Sequence, residues 1–86
     1  MTTPNIASTV FIVDDDEAVR DSLRWLLEAN GYHVSAFSSA ESFLSAFDEK
    51  TAGVLIVDVR MPGMSGLELQ EQLIARKSSM PIVFIT

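Results

Sequence analysis

The sequence predicts an α/β fold in which helices cover a parallel β-sheet. Short apolar runs alternate with segments whose apolar residues recur at helical spacing, in the order strand, helix, strand, helix, strand, helix, strand. Two of the runs, residues 54–57 (VLIV) and 82–85 (IVFI), are apolar throughout, which is typical of a sheet covered on both faces. Strands that alternate with helices imply crossover connections and a parallel sheet, and we expect the crossovers to be right-handed.

The first strand and the first helix are joined by three consecutive aspartates. Residues 9–13 (TVFIV) are rich in β-branched side chains, and the strand stops where the aspartates begin. Asp15 or Asp16 can cap the helix that follows, and Gly31 can end it. The apolar face of this helix consists of Val19, Leu23, Leu26 and Leu27.

The second strand and the second helix follow directly. Polar and apolar residues alternate over residues 33–37, which predicts a strand. Ser38 and Glu41 have the S-x-x-E spacing of a capping box at the start of a helix. The apolar stripe of this helix consists of Phe43, Leu44 and Phe47.

A third strand, a turn-rich loop and a third helix precede the last strand. The third strand stops at Asp58, and residues 60–64 (RMPGM) form the loop. Ser65 and Glu68 supply a second capping box, and Pro81 leads into the fourth strand. The apolar stripe of the third helix consists of Leu69, Leu73 and Ile74.

Composition and charge restrict the class of protein. With 86 residues, 48% of them hydrophobic, we expect one folded domain over residues 9–86 after a flexible tail over residues 1–8. No apolar run approaches the ~20 residues that span a membrane, and the first residues lack the pattern of a signal peptide, so we expect a cytoplasmic location. The absence of cysteine excludes disulfides. A formal charge of −6 argues against direct nucleic-acid binding, because phosphate backbones are bound by clustered Lys and Arg.

Polar residues follow three of the predicted strands. Open parallel sheets bind ligands beyond the carboxyl ends of their strands, where this sequence has Asp14 and Asp15, Asp58, and Thr86. If the first and third strands are neighbours, the three carboxylates share one site. Two like charges about 4 Å apart repel by roughly 4 kcal/mol at an effective dielectric constant of about 20, so shared protons or a cation must offset the repulsion. Oxygen ligands without His or Cys favour Mg²⁺.

A carboxylate in such a site can attack phosphorus. The product is an acyl phosphate, and a cation nearby would offset charge on the oxygens of the transferring group. The Thr86 hydroxyl could donate a hydrogen bond to one of these oxygens. The residues therefore permit phosphoryl transfer at Asp58, while an acidic triplet that only caps a helix stays the alternative.

Three motifs together resemble the receiver domains of bacterial two-component response regulators. They are FIVDDD at residues 11–16, VDVRMPGMSGLE at residues 57–68 and the final Ile85-Thr86. The motifs occur in the family's order, and the resemblance covers the chain from about residue 9 to its end. The middle motif is similar to that of the FixJ-like transcriptional regulators. The resemblance implies a flavodoxin-like three-layer sandwich with strand order 2-1-3-4, which is part of the 2-1-3-4-5 order of that fold.

The resemblance also implies a role for each site residue. Asp58 would accept phosphate from the phosphohistidine of a sensor histidine kinase, and Thr86 would be the switch hydroxyl. The cofactor Mg²⁺ would be held by Asp14, Asp15, Asp58 and the backbone carbonyl of Arg60. The domain would be a phosphoacceptor and not an enzyme, and it would control an output domain that is expected to bind DNA.

The sequence departs from the family pattern at its end. A full receiver continues with a helix, a fifth strand and a fifth helix, so the resemblance implies a C-terminally truncated domain without the family's phosphate-binding lysine. Lys50 and Lys77 are no substitutes, because we expect both near helix ends away from the strand carboxyl ends. The fourth strand would form an apolar edge, and such edges pair with other chains. We therefore expect self-association through residues 82–85.

Three other functions compete with this interpretation. A phosphatase of the haloacid-dehalogenase type needs Asp-x-Asp followed by Gly-Thr or similar, whereas Asp16 is followed by Glu-Ala. A serine hydrolase needs Gly-x-Ser-x-Gly, which the residues around Ser65 lack. An interaction or oligomerisation module without phosphotransfer stays the alternative for a truncated chain. We expect Trp25 and Tyr32 to cover edges of the core and not to bind a cofactor.

Overall fold

The computed structural model describes residues 9–85, which form a four-stranded sheet and three helices. The predicted tail over residues 1–8 and the predicted switch residue Thr86 lie outside the described residues. Within the described range, no helix has both the length and the apolar character needed to cross a bilayer. The elements in chain order are β1 (Thr9–Val13), α1 (Glu17–Ala29), β2 (His33–Phe37), α2 (Ala40–Ala46), β3 (Gly53–Asp58), α3 (Gly66–Ala75) and β4 (Ile82–Ile85).

The sheet has the predicted strand order, β2-β1-β3-β4, and all of its strand pairs are parallel. In the centre of the sheet, Val13 of β1 pairs with Val57 of β3. The next residues, Asp14 and Asp58, therefore emerge side by side at the carboxyl ends of neighbouring strands. On the other side of β3, Asp58 pairs with Ile85 of β4.

Polar side chains fix where α1 and α3 begin. The Asp16 carboxylate accepts hydrogen bonds from the backbone N–H groups of Ala18 and Val19 and so caps α1. Ser65 and Glu68 form the predicted capping box at α3, in which each side chain accepts from the other residue's backbone N–H. These caps end the two loops that carry the aspartates.

The predicted capping box of α2 is wrong. Ser39, and not Ser38, caps this helix, and its hydroxyl accepts from the backbone N–H of Ser42. Glu41 therefore takes no part in the cap. Its carboxylate instead accepts a hydrogen bond from the backbone N–H of Met64, in the loop after β3. Two consecutive serines allow two registers for the cap, so the spacing rule alone selected the wrong one.

The main hydrophobic core lies between the sheet and the pair α2 and α3. Phe43 of α2 is at its centre, with ring centroids of Phe11, Phe37 and Phe47 at 5.5, 5.5 and 5.8 Å. Met61 and Met64, from the loop after β3, pack against the same core. Its buried members are Val13, Ala40, Phe43, Leu55, Val57, Leu69 and Leu73.

The helix α1 packs against β1 and β2, and none of its residues is buried. Leu26 is 52% exposed and Trp25 is 74% exposed, so the expectation that Trp25 covers a core edge is wrong. The physical reason is helix geometry, because Trp25 lies about 200° around the helix from Leu23. The expectation of full coverage on both faces also fails at β4, where Val83 is 48% exposed.

Candidate functional site

Three carboxylates meet at the carboxyl end of the sheet. One oxygen each from Asp14, Asp15 and Asp58 lies within 4.8 Å of the other two. The parallel register of β1 and β3 causes this convergence, since it aligns the residues that follow Val13 and Val57. The three aspartates that the sequence analysis grouped are therefore neighbours in space.

The three aspartates differ in their access to solvent. Asp14 is 3% exposed, Asp58 is half-buried and Asp15 is exposed. Asp14 accepts a hydrogen bond of 2.9 Å from the backbone N–H of Asp16, and Asp58 accepts one of 2.9 Å from that of Arg60. In both turns the carboxylate accepts from the residue two positions further on, which orients the side chain and occupies one of its oxygens.

The electrostatics of the site favour a cation. Burial raises the pKa of Asp14 above its ordinary value of 3.8, and the hydrogen bond from Asp16 only partly offsets this. The neighbouring negative charges of Asp58, Asp15 and Asp16 raise it further. Between residues 9 and 85, no salt bridge involves these carboxylates, and the ion pair that is present joins Arg24 and Glu28 of α1. A hard dication that takes oxygen ligands fits this donor set.

Two residues that the sequence analysis did not single out support the site. The Arg20 guanidinium donates a 2.7 Å hydrogen bond to the backbone carbonyl of Asp14 and so connects α1 to the end of β1. A Cβ on Gly66 would lie 2.4 Å from the carbonyl oxygen of Asp58, so α3 begins too close to β3 for any larger residue. A glycine directly after the capping Ser65 could have indicated the close approach of α3 to β3. The position of Arg20 near the start of a helix gave no indication of its hydrogen bond to Asp14.

The remaining predicted site residues are only partly described. Arg60 is exposed, and its backbone N–H faces Asp58, while the role of its carbonyl as a ligand stays a prediction. The predicted role of Thr86 falls on a residue outside the described range.

The lysines lie at the other end of the strands, as expected. Lys77 lines a groove of about 230 Å³ together with Arg76 and with Gly53, the first residue of β3. Lys50 lines a second depression together with Asp48 and with Thr9, the first residue of β1. Both lysines therefore lie near the amino ends of the strands, at the opposite end from the aspartates.

A comparison with protein families decides the identity of the domain. The family model of the response regulator receiver domain matches residues 10–86. The chain belongs to this family. The predicted resemblance is thereby confirmed, and the three converging aspartates lie in a receiver domain of a two-component response regulator.

Known relatives of this receiver domain are transcriptional regulators. The transcriptional regulatory protein TdiR of Thauera aromatica is 49% identical over 80 residues, which cover 93% of this chain and 35% of that protein. FixJ of Bradyrhizobium diazoefficiens is 42% identical over 77 residues, which cover 90% of this chain and 38% of that protein. The chain thus spans little more than a third of the length of these relatives.

Solved structures confirm the predicted fold. The response regulator StyR superposes with a TM-score of 0.89 at 53% identity, over 92% of this chain and 40% of that one. The crystal structure of FixJ-N gives 0.82 at 43% identity, over 100% and 66%. A CheY-like receiver domain of Methanospirillum hungatei gives 0.83 at 28% identity, over 93% and 65%. The receiver fold with strand order 2-1-3-4 is therefore retained down to low sequence identity.

Proposed function

We propose that Asp58 is the phosphoacceptor of this receiver domain and that the sensor histidine kinase of a two-component system is its phosphodonor. The observation that carries the proposal is the convergence of Asp14, Asp15 and Asp58 within 4.8 Å at the carboxyl ends of β1 and β3. Of the three, Asp58 combines a half-buried position with a carboxylate oriented by the Arg60 N–H. Asp14 is too buried for attack on an external phosphoryl group, and Asp15 is exposed.

The reaction is the transfer of one phosphoryl group between two side chains. A carboxylate oxygen of Asp58 forms a bond to phosphorus, and the bond from phosphorus to the kinase histidine nitrogen breaks. The imidazole leaves with the electron pair of that bond, and the product is an acyl phosphate. When bound, Mg²⁺ would supply positive charge that stabilises the oxygens of the transferring group. Its ligands would be Asp14, Asp15, Asp58 and the Arg60 carbonyl.

The chain would act as a phosphoacceptor in the cytoplasm and would control an attached output domain. Support comes from the relatives TdiR and FixJ, which are transcriptional regulatory proteins more than twice as long as the matched region. We propose that the output domain binds DNA. This segment itself carries a net charge of −6 and is unsuited to that task.

Mass spectrometry after incubation with acetyl phosphate and Mg²⁺ tests the phosphoacceptor. We expect one added phosphoryl group in the wild type, located at Asp58, and none in the Asp58→Asn variant. Asp21→Asn is the matched control, because Asp21 is exposed on α1 and lies outside the cluster. Steady phosphate release without an adduct would indicate a phosphatase, and equal labelling of the Asp58→Asn variant would refute the assignment.

A second proposed function is self-association through β4. In the described part of the chain β4 pairs with β3 alone, and Val83 is 48% exposed. Apolar edge strands pair with other chains, and a charged side chain on the edge opposes this. We expect sedimentation to give a concentration-dependent dimer for the wild type and a monomer for Val83→Lys. A monomeric wild type at high concentration would contradict the proposal.

A further inference from the structure

One hydrogen bond ties the loop after Asp58 to α2. The carboxylate of Glu41 accepts the backbone N–H of Met64 at 3.2 Å. Among the side-chain hydrogen bonds described for residues 9–85, it joins the residues most distant in sequence, since the next longest runs from Arg20 to Asp14. The bond therefore links two segments that lie before and after β3 in the chain.

The same loop is fixed at its base by backbone hydrogen bonds. The N–H of Val59 donates to the carbonyl of Ile85 at 3.0 Å, and the N–H of Gly66 donates to the carbonyl of Val59 at 3.1 Å. Neither bond reaches the tip of the loop, residues 61–64. The tip is attached by the Glu41 bond and by the packing of Met61 and Met64 against the core.

The neighbouring Gly63 lies close to the same carboxylate oxygen. Its φ of +73° lies in the left-handed region, which favours glycine. A Cβ at this position would also lie 2.8 Å from Oε2 of Glu41. The backbone of the loop tip is therefore in close contact with the carboxylate.

We propose that Glu41 is a positioning residue for the phosphoacceptor site. By fixing the tip of the loop, it holds residues 60–64 in the conformation in which the Arg60 backbone lies beside Asp58. A loop that is already ordered loses less conformational entropy when a ligand binds, so this hydrogen bond favours binding of Mg²⁺. The inference rests on the proposed function of Asp58, and Glu41 itself contacts neither phosphate nor metal in this proposal.

Two substitutions separate the hydrogen bond of Glu41 from its charge. Glu41→Ala removes both, whereas Glu41→Gln removes the negative charge and keeps an oxygen that can accept from Met64. If Glu41 acted through its charge on the acidic cluster, the two variants would behave alike. If it acts by positioning the loop, glutamine retains the function and alanine does not.

Magnesium titration followed by NMR provides the first measurement. We expect Glu41→Ala to weaken Mg²⁺ binding about three- to fivefold, the size of a typical hydrogen-bond contribution, and Glu41→Gln to stay within about 1.5-fold of the wild type. Glu71→Ala is the matched control, because Glu71 is an exposed glutamate of α3 with no described hydrogen bond between residues 9 and 85. It should leave the affinity unchanged.

Amide hydrogen exchange provides a measurement that needs no metal. The Met64 amide should exchange severalfold faster in Glu41→Ala than in the wild type, with Glu41→Gln close to the wild type. The Val59 amide, which donates within the base of the loop, should not change. Equal Met64 exchange in the wild type and in Glu41→Ala would overturn the inference.

The outcomes distinguish this inference from the function on which it rests. If the wild type fails to bind Mg²⁺, both are overturned. If the wild type binds but Glu41→Ala binds equally well, the positioning role alone is overturned. Equal losses in Glu41→Ala and Glu41→Gln would also overturn it, because they would assign the effect to charge.

Discussion

On one face of the sheet, α2 and α3 enclose a core of buried side chains, whereas on the other face none of the residues of α1 is itself buried. The difference is clearest for two aromatic residues. Phe43 of α2 is 1% exposed and has three aromatic neighbours, while Trp25 of α1 is 74% exposed. The larger side chain contributes less to the packing, because hydrophobic stabilisation follows the area removed from water and not the size of the residue.

The two sides of the acidic site are connected to different regions of the molecule. The Asp58 loop and its Met61 and Met64 side chains belong to the well-packed face. The Asp14 turn is connected to the loosely packed helix by the Arg20 hydrogen bond. Asp58 and Asp14 are thus connected to regions that differ strongly in burial, and substitutions in each region should affect the two residues differently.

The largest expected effect is the loss of the Phe43 ring. Phe43→Ala should lower the free energy of unfolding by about 3–5 kcal/mol, because it leaves a cavity among three rings. Trp25→Ala should change it by less than about 0.5 kcal/mol, as at other exposed positions. Urea unfolding followed by circular dichroism measures both. If Phe43→Ala fails to fold, Phe43→Leu should still lower the free energy of unfolding more than Trp25→Ala does. Similar losses at the two positions would contradict the difference in burial between α2 and α1.

Substitution of two glycines should have an intermediate effect on stability. Gly66→Ala should cost about 1–3 kcal/mol, because its Cβ would meet the carbonyl oxygen of Asp58 at 2.4 Å and α3 would have to move. Gly31, after α1, has a φ of +90° but nothing within 4 Å of a Cβ, so Gly31→Ala should cost only the backbone strain of about 1 kcal/mol. Thermal unfolding gives the two costs. NMR shifts at Asp58 should move in Gly66→Ala and stay in place in Gly31→Ala.

The smallest expected effect is a gain in stability on removal of the Asp14 charge. Without metal at neutral pH, Asp14→Asn should stabilise the protein by about 1 kcal/mol, because it removes a buried charge beside two others while asparagine can still accept from Asp16. Asp21→Asn, on the exposed face of α1, should have no effect. A loss of stability in Asp14→Asn without metal would contradict the electrostatic description of the site.

The pH dependence of this gain has a definite sign. Because the pKa of Asp14 is raised above 3.8, the folded protein binds its proton more tightly than the unfolded chain does. The contribution of this group to stability therefore falls as the pH rises from about 3.8 through the raised value. The advantage of Asp14→Asn should be absent at lower pH and complete above that range, as denaturation at several pH values can measure.

Much of the fold could be predicted from the sequence because its signals are local. The strand runs end at aspartates, and the Ser65–Glu68 box marks the start of α3 at the position found in the structure. The strand order, and with it the meeting of Asp14 and Asp58, came from the family resemblance. The sequence alone permitted that pairing but did not require it.

The rest could not be predicted, because it depends on contacts between distant residues. Glu41 fits a cap by spacing, and only the fold brings Met64 to its carboxylate. Asp14 and Asp15 are chemically identical neighbours, and alternation along the strand end buries one and exposes the other. Leu26 fits an apolar stripe, yet its exposure depends on what α1 has to pack against.

Charge is unevenly distributed along the strands. At the carboxyl ends three aspartates lie together, whereas at the amino ends Lys50, Arg76 and Lys77 are partly balanced by Asp48 and Glu49. In the field of a positively charged protein surface, such a molecule turns its aspartates toward that surface before the two make contact. Productive encounters then become more frequent at low ionic strength, since salt shortens the range of this orienting torque.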